Sequence, residues 1–500
     1  MSRADCPAAE KHLENRPDTA GRKRGATALP VLGAAADKGA PARAPGKSRK
    51  KAAKAPVVSF VSLGCAKNLV DSEMMLGQIA ASGAVISGDE SLADTVVVNT
   101  CGFLESSRLE ALDVIEELAA RKRAGDLKRI VVAGCLVQRD GESLLEAAPD
   151  IDALVGVNNR DDIVQAVWRM DRDAEVDQYM GDYHRFETHP WQDRGRLRLT
   201  PRHYAYVRIS EGCNQKCTFC TIPSIRGPMR SKSADELVEE ARELVDDGAR
   251  EILLIGQDTT SYGGDIGDAA GLAGLLRRLD RDVAADWIRL MYVYPSIMTD
   301  EMIDAIAQCE RVVKYIDIPL QHINDRMLKR MHRRVTRKQT ETLLKRLRDR
   351  IPGVSIRTTF IVGFPGETDA EFDELVDFVR GAGFDAAGAF VYSLEPETPA
   401  GRMREQIDDE TKRERHERLM LAQQDVALEA ARAWIGRAFG MIVDGRDADS
   451  RLIARHAGQA PEVDAVCIAP KAPKKLKAGD IVRAKCVETD GYDLIVEPAK

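Results

Sequence analysis

The chain has 500 residues, of which 44% are hydrophobic and 31% charged, with a formal net charge of −7. That length suits roughly three domains, each able to bury a core of its own, and no run of ~18 or more apolar residues offers a membrane span. The surplus of acid argues against a binder of nucleic-acid duplexes that relies on phosphate contacts over its whole surface. The charge is uneven, however: up to Pro56 there are 13 Lys and Arg against 5 acids, so a basic segment precedes an acidic body. The opening Met1-Ser2-Arg3-Ala4-Asp5 leads into further charge and no apolar stretch, so a secretory signal is not expected. Ten cysteines in a chain this long point to reduced thiols of the cytoplasm, not to a small disulfide scaffold.

Residues 1–55 are rich in Ala, Pro, Gly, Lys and Arg and offer almost nothing to bury, so a disordered basic tail is expected. Its cluster Lys47-Ser48-Arg49-Lys50-Lys51 could touch RNA or a ribosome, with a solvated tail the better reading, and Cys6 is an incidental thiol.

From 56 to 170 short apolar runs alternate with helical segments. Val57-Val58-Ser59-Phe60-Val61 leads to Gly64-Cys65, Thr95-Val96-Val97-Val98 to Asn99-Thr100-Cys101, and Ile130-Val131-Val132-Ala133 to Gly134-Cys135. Continuous β-branched runs separated by helices predict a parallel sheet covered on both faces. Ligands of such sheets sit beyond the strand carboxyl ends, so the three cysteines converge on one edge. Three thiolates on three loops form an incomplete cage: an iron–sulfur cluster with one open iron, zinc with a water, or packing thiols.

Residues 171–203 read as a linker with at most a hairpin, and its His184, His189 and Trp191 lack metal-site spacing. From 204 to 432 six strand–helix units follow, with strands at Tyr206-Val207-Arg208-Ile209, 251–255, 287–292, 315–318, 356–362 and 387–392. Six units make an open partial barrel, too few for the closed eight. After the first strand comes Cys213-Asn214-Gln215-Lys216-Cys217-Thr218-Phe219-Cys220. Three thiols on one tight loop, with no second pair to complete a zinc cage, suit three irons of a four-iron cluster, the alternatives being a zinc knuckle that lacks its fourth ligand or ordinary buried thiols. Tyr292, Tyr294, Gln321 and His322 end strands and read first as core or rim residues. The charged stretch from about Asp408 to Trp434 reads as a solvated surface helix, Cys309 as a packing thiol on a helix. From 433 to 500 short strands at 441–443, 464–468, 480–486 and 492–496 predict a small β-barrel, near neutral with 11 basic and 10 acidic residues from Arg437, and Cys467 and Cys486 pack inside it.

The CxxxCxxC stretch with Phe219 resembles the cluster motif of the radical S-adenosylmethionine (SAM) superfamily. Ser62-Leu63-Gly64-Cys65-Ala66-Lys67-Asn68-Leu69-Val70-Asp71-Ser72-Glu73 and Asn99-Thr100-Cys101-Gly102-Phe103 resemble the amino-terminal domain of the methylthiotransferases, and the last segment resembles their TRAM domain, which implies a module that helps to dock the macromolecular substrate. The resemblance covers nearly all of the chain after about residue 56. The fold it implies is α/β: a parallel-sheet methylthiotransferase N-terminal domain, a partial (βα)6 radical SAM barrel and a small C-terminal β-barrel.

It further implies two 4Fe-4S clusters, one on Cys65, Cys101 and Cys135 and one on Cys213, Cys217 and Cys220, the latter binding SAM. Phe219, Gly256, Gln257, Asp258 and Gly363 would contact SAM, with Gly366 beside them, although Gly256-Gln257-Asp258 stands where the family has a Gly-Gly-Glu-like segment. Ile222-Pro223-Ser224-Ile225-Arg226-Gly227-Pro228, Tyr292-Val293-Tyr294-Pro295-Ser296 and Val391-Tyr392-Ser393-Leu394-Glu395-Pro396 look like the RimO-type branch. That branch methylthiolates the β-carbon of an aspartate of small-ribosomal-subunit protein twelve; the sister, MiaB-like branch modifies adenosine in transfer RNA. In the implied mechanism one SAM methylates sulfur held at the first cluster, and a second yields the radical that removes the substrate hydrogen. An unactivated C–H bond has no acidic proton, so no general base is nominated. A low-potential donor such as flavodoxin is the implied partner. A reading from another class is a non-catalytic iron–sulfur factor that docks on ribosomes.

Overall fold

The computed structural model describes residues 55–169, 175–182, 184 and 192–498. The tail to residue 54, with Cys6 and the basic cluster at 47–51, and His189 and Trp191 lie outside the described residues.

The first domain is one six-stranded sheet of β1 (Val57–Ser62), β2 (Val85–Ile86), β3 (Thr95–Thr100), β4 (Arg129–Gly134), β5 (Ala153–Gly156) and β6 (Asp177–Tyr179), in the order β2-β1-β3-β4-β5-β6. Every pairing is parallel. Every residue of β3 and β4 is buried, because helices cover both faces. Val96, Val98, Ile130 and Val132 pack with Ala111, Ile115 and Leu118 of helix Glu105–Ala124. Val97, Val131 and Val155 pack on the other face with Met75 and Ile79 of helix Ala66–Ala81. Strand β6 lies in the stretch expected to be linker or hairpin, where it is instead the parallel edge of the sheet. Its anchor is a charge: buried Asp177 accepts from Arg129 Nη2 at 2.6 Å, a signal that apolar patterning does not carry.

The second domain holds β7 (Tyr204–Arg208), β8 (Ser210–Glu211), β9 (Arg230–Ser231), β10 (Glu251–Ile255), β11 (Trp287–Leu290), β12 (Tyr315–Asp317), β13 (Ser355–Val362) and β14 (Ala386–Val391). Two parallel trios, β7-β10-β11 and β12-β13-β14, are joined by a parallel bridge between Ile288 and Val312. The result is the expected open six-stranded barrel. Leucines and valines of the helices between the strands pack against Ile252, Leu254, Ile288 and Ile356. Three of these helices begin with a reciprocal cap, at Ser233, Thr336 and Thr368. The short β8 and β9 pair antiparallel and close the loop that carries the cysteine motif.

Helix Asp409–Arg432 corrects the solvated reading. Leu419 and Ala422 belong to the barrel's core cluster, Arg415 is buried on Glu367, and His416 Nε2 lies 3.1 Å from the carbonyl oxygen of Ala389 in the edge strand β14. The apolar stripe is narrow and its flanking charges are consumed in pairs, so charge counting masked it.

The last domain is a closed barrel of β15 (Ala438–Arg446), β16 (Leu452–His456), β17 (Cys467–Ala469), β18 (Ile481–Asp490) and β19 (Asp493–Pro498), in the order β15-β16-β17-β19-β18. Strand β16 was not expected, since Arg455 and His456 interrupt its apolar run, yet both are buried. Cys467 and Cys486 lie inside the core, and Cys309 is buried immediately after helix Asp300–Gln308. This barrel docks at the amino ends of the second domain's strands. Arg455 Nη1 meets Glu251 Oε2 at 2.8 Å, Tyr204 OH donates to Glu462 at 3.0 Å, and Tyr315 OH donates to Asp464 at 2.8 Å. The strand carboxyl ends, where the cysteines lie, are at the opposite end. Among the described residues no helix is long and apolar enough to cross a membrane.

Candidate functional site

β1, β3 and β4 are neighbours in the sheet; β3 and β4 run directly into a cysteine, and β1 leads to one three residues on. Cys65 precedes helix Ala66–Ala81, Cys101 follows β3, and Cys135 opens the short helix Cys135–Asp140. The loops touch. A side chain on Gly64, whose φ is +91°, would place its Cβ 2.8 Å from Cys101 Cβ, and one on Gly102 would meet the backbone of Cys135 at 2.8 Å. Glycine is thus required where the three cysteine loops cross.

Cys65 is at the exposed rim, Cys101 is half-buried and Cys135 is buried. Burial pushes the Cys135 thiol up to about 12, against the pull of Arg226. Surrounding protein also opposes ionisation of Cys65, but Lys67, Arg226 and the backbone amides of Asn68 and Lys67 outweigh it and hold that thiol below its ordinary value. The three thiols lie within electrostatic reach of one another. Cys101 and Cys135, raised by burial, are poor free nucleophiles, and coordination is what would strip their protons.

The second triad sits on the loop between β8 and β9. Backbone bonds pin it from several sides: Cys213 N to Gly227 O at 3.2 Å, Thr218 N to Met331 O at 3.2 Å, and Ala400 N to Thr218 O at 2.9 Å. All three thiols are half-buried. Burial raises Cys213 to about 11 and Cys220 to about 12, and each feels the charge of its neighbours in the motif. Arg333, stacked 4.1 Å over the Tyr294 ring, places Nη1 3.7 Å from Cys217 Sγ. Among the described residues no three His, Cys, Asp or Glu side chains converge on a single metal ion. Three mutually interacting thiols on crossing glycine loops are a donor set that would suit an iron–sulfur cluster.

Between the triads lies a buried charge network. Arg208 Nη1 donates to Asp71 at 2.6 Å and to Glu211 at 2.5 Å, and its Nη2 to Asp193 at 2.6 Å. Arg160 reaches Asp71 at 2.6 Å. Burial alone would raise the carboxyls of Glu211 and Asp193, but the surrounding arginines, with Lys232 for Asp193, hold both well below the usual carboxylate range. Asp71 and Arg160 belong to the first domain, Arg208 and Glu211 to the second, so the network joins the two.

Of the SAM-contact candidates, Gly256, Gln257 and Asp258 follow β10 and Gly363 follows β13, whereas Phe219 lies within the cysteine loop. Phe219 packs beside Phe364 and Tyr392. Gly256 lies so near Ser210 that a Cβ there would meet its Oγ at 2.8 Å. Gln257 Nε2 donates to Glu211 at 2.8 Å. Asp258 accepts from Gln215 Nε2 at 2.9 Å and Ser261 Oγ at 2.6 Å, so it bridges the cysteine loop to β10. Gly363 has φ +70° and donates its N–H to Glu367. Gly366 lies next to Arg330 and Glu405. Tyr292 and Gln321 have positive φ, 59° and 74°, an unusual strain that gathers at functional loops, and Lys67 Nζ sits 3.2 Å from the Tyr292 ring centroid. His322 is a packing residue, fully buried against Glu367 at 3.1 Å. His184 is exposed in the turn after β6. Sequence reading missed Arg226, Arg333 and Lys67. The one signal available was the position of Arg226 six residues after Cys220, next to a glycine.

Residues 207–379 match the model of the Radical SAM superfamily, residues 57–156 that of Uncharacterized protein family UPF0004, and residues 435–498 that of the TRAM domain. The chain is 43% identical over 443 residues to the "Ribosomal protein uS12 methylthiotransferase RimO" of Trichlorobacter lovleyi, a match spanning 88% of this chain and 97% of that protein. The chain belongs to the RimO family. The RimO proteins of Bdellovibrio bacteriovorus and Desulfitobacterium hafniense match at 42% and 38% identity, each over 88% of this chain and over 97% and 98% of the relative. As a RimO-family member the chain is a radical SAM methylthiotransferase, an enzyme that works with an iron–sulfur cluster and SAM.

Proposed function

We propose that this enzyme methylthiolates the β-carbon of an aspartate of ribosomal protein uS12, with one cluster held by Cys213, Cys217 and Cys220 and a second by Cys65, Cys101 and Cys135. The relatives are named for the substrate uS12. The observation that carries the two-cluster reading is the adjacency of the triads: the chain runs on from Cys220 to Ile225 and Arg226, which pack against and hydrogen-bond Cys135. When bound, the clusters and SAM supply the one-electron chemistry and the sulfur that substitution at an unactivated carbon needs. The protein's share is placement and exclusion. The cysteine loop is locked to Met331, Gly227 and Ala400, while Gln215, Asp258 and Gln257 tie it to β10 and to the network beneath. The SAM contacts fall to Phe219 on the cysteine loop, to Gly256, Gln257 and Asp258 after β10, and to Gly363 after β13. A low-potential donor such as flavodoxin supplies the electron.

The test is an anaerobic assay of the reconstituted protein with SAM, sulfide and reductant, offering uS12 and unmodified transfer RNA in parallel. A gain of ~46 Da on a uS12 aspartate, hydrogen replaced by methylthio, is expected. The same gain on adenosine with none on uS12 would assign the sister activity. Cys213→Ala is expected to abolish SAM cleavage; product formation unchanged in that variant would refute the cluster assignment.

A further inference from the structure

The Cys65, Cys101, Cys135 site contains a side chain that its own domain does not supply. Arg226 ends the short helix Ile222–Arg226, which follows Cys220 in the second domain. Its side chain is 2% exposed. Nη2 donates to Cys135 Sγ at 3.1 Å and to Asp71 Oδ2 at 2.9 Å, and Nη1 donates to both Glu211 oxygens, at 3.0 and 2.9 Å. The guanidinium is therefore clamped on two carboxylates with one edge laid on a sulfur.

We infer that Arg226 is a positioning and charge-setting residue for the cluster on Cys65, Cys101 and Cys135, so that this site is complete only when the two domains are docked. The inference rests on the reading of those cysteines as cluster ligands. A purely structural salt bridge is the competing account, and the geometry weakens it. Asp71 already receives Arg160 and Arg208, and Glu211 receives Arg208 and Gln257. The two carboxylates are thus served without Arg226, whereas Cys135 gains from it a charged donor in a buried setting.

Hydrogen bonds to ligand sulfurs and net charge set the potential of an iron–sulfur centre, and groups behind the ligands fix their orientation. A cation on Cys135 favours the more negative, reduced state. Its fork also matters: a lysine keeps the charge but is a point donor that cannot span Asp71, Glu211 and Sγ together. Because Arg226 is joined to Cys220 through six residues of backbone, the same side chain fixes the spacing of the two triads.

The experiment uses the full-length chain carrying Cys213→Ala, Cys217→Ala and Cys220→Ala, so that only the first cluster reports. Arg226→Gln, Arg226→Lys and, as a control sharing the same carboxylates, Arg160→Lys are added to it. Iron is counted and the cluster is titrated by electron paramagnetic resonance. The expected result is about four irons per chain throughout. With Arg226→Gln the reduction equilibrium constant is expected to fall tenfold or more, about 59 mV for one electron. Arg226→Lys is expected to fall between Gln and the parent, and Arg160→Lys to match the parent. An unchanged potential in both Arg226 variants, or an equal shift from Arg160→Lys, would overturn the inference. Absence of iron from the parent triple variant would overturn the cluster reading itself and the inference with it. If Arg226→Gln fails to fold, Arg226→Lys carries the test.

Discussion

Glu395, just beyond β14, reaches across to the first domain, to Arg139 and the start of helix Glu105–Ala124. Its side chain is 1% exposed and binds Arg139 Nη2 at 2.6 Å, and it accepts the backbone N–H of Glu105 at 3.0 Å. That N–H opens helix Glu105–Ala124, whose N-cap Leu104 has no side-chain oxygen to offer. The carboxylate therefore caps another domain's helix and complements its dipole. Glu395→Ala leaves Arg139 without that buried partner, a loss on the order of 3 kcal/mol, and should raise hydrogen exchange at the first turn, 105–108. Glu397→Ala removes a half-exposed partner of the same arginine and should cost under about 1 kcal/mol. Denaturant titration of both variants separates the two outcomes, and equal losses would contradict the cap. The contact also marks the limit of reading residues from sequence. Six cysteines were legible because their spacing and their strand ends are local, whereas Glu395 meets Glu105, and Arg226 meets Cys135, only through a docking no local pattern records.

At the scale of elements, legibility followed how each strand or helix earns its burial. Strands β1, β3, β4 and β10 are apolar runs and were read nearly to the residue. Strands β6 and β16 are held by ion pairs of Asp177 and Arg455, and helix Asp409–Arg432 hides a narrow stripe among charges, so all three were misread or missed. The polar character of β16 has a measurable consequence. His456 is buried under Trp434, with ring centroids 4.2 Å apart, and its Nδ1 accepts from Gly458 N at 2.9 Å. Burial, aided by Arg289 and Arg455, pushes its pKa down from 6.5 to about 3. Between those values the unfolded chain binds the extra proton and the folded chain does not, so stability falls as pH drops below about 6.5. The slope is at most about 1.4 kcal/mol per pH unit. Unfolding measured from pH 7.5 to 5 in parent and variant isolates this slope, because the buried carboxyls that burial raises, Glu240, Asp385 and Asp464, are common to both. In His456→Phe, which keeps a ring against Trp434, the slope should flatten, and a parent curve flat over that window would contradict the burial of a neutral imidazole.

For the whole molecule, the arrangement is a stack in which the second domain is closed from both ends. The first domain meets it at the strand carboxyl ends, where Val70 packs with Tyr206, Ile255 and Met291. The terminal barrel forms the floor, and there the resemblance understated its part. It implied a module for docking substrate, yet Glu251 and Arg289 at the barrel floor are both 0% exposed, and Glu251 is shared between Arg289 Nε at 2.7 Å and Arg455 Nη1 at 2.8 Å. Arg289 also donates to Ala457 O at 2.9 Å. A chain ending at residue 434 would lose Arg455 and Ala457, and would open Tyr204, Tyr315 and this ion pair to water. Such a truncation is expected to lower the thermal stability of the second domain and its retention of iron, as well as any hold on uS12. Glu251→Gln isolates the cause within the full chain. It leaves two buried guanidinium groups with a neutral partner, a loss of about 3–5 kcal/mol, without touching the barrel's outer surface. If the variant unfolds earlier but still binds uS12 at low temperature, the barrel serves as a structural floor in addition to any docking role. A truncated chain with unchanged melting and SAM cleavage would instead return the barrel to a detachable module.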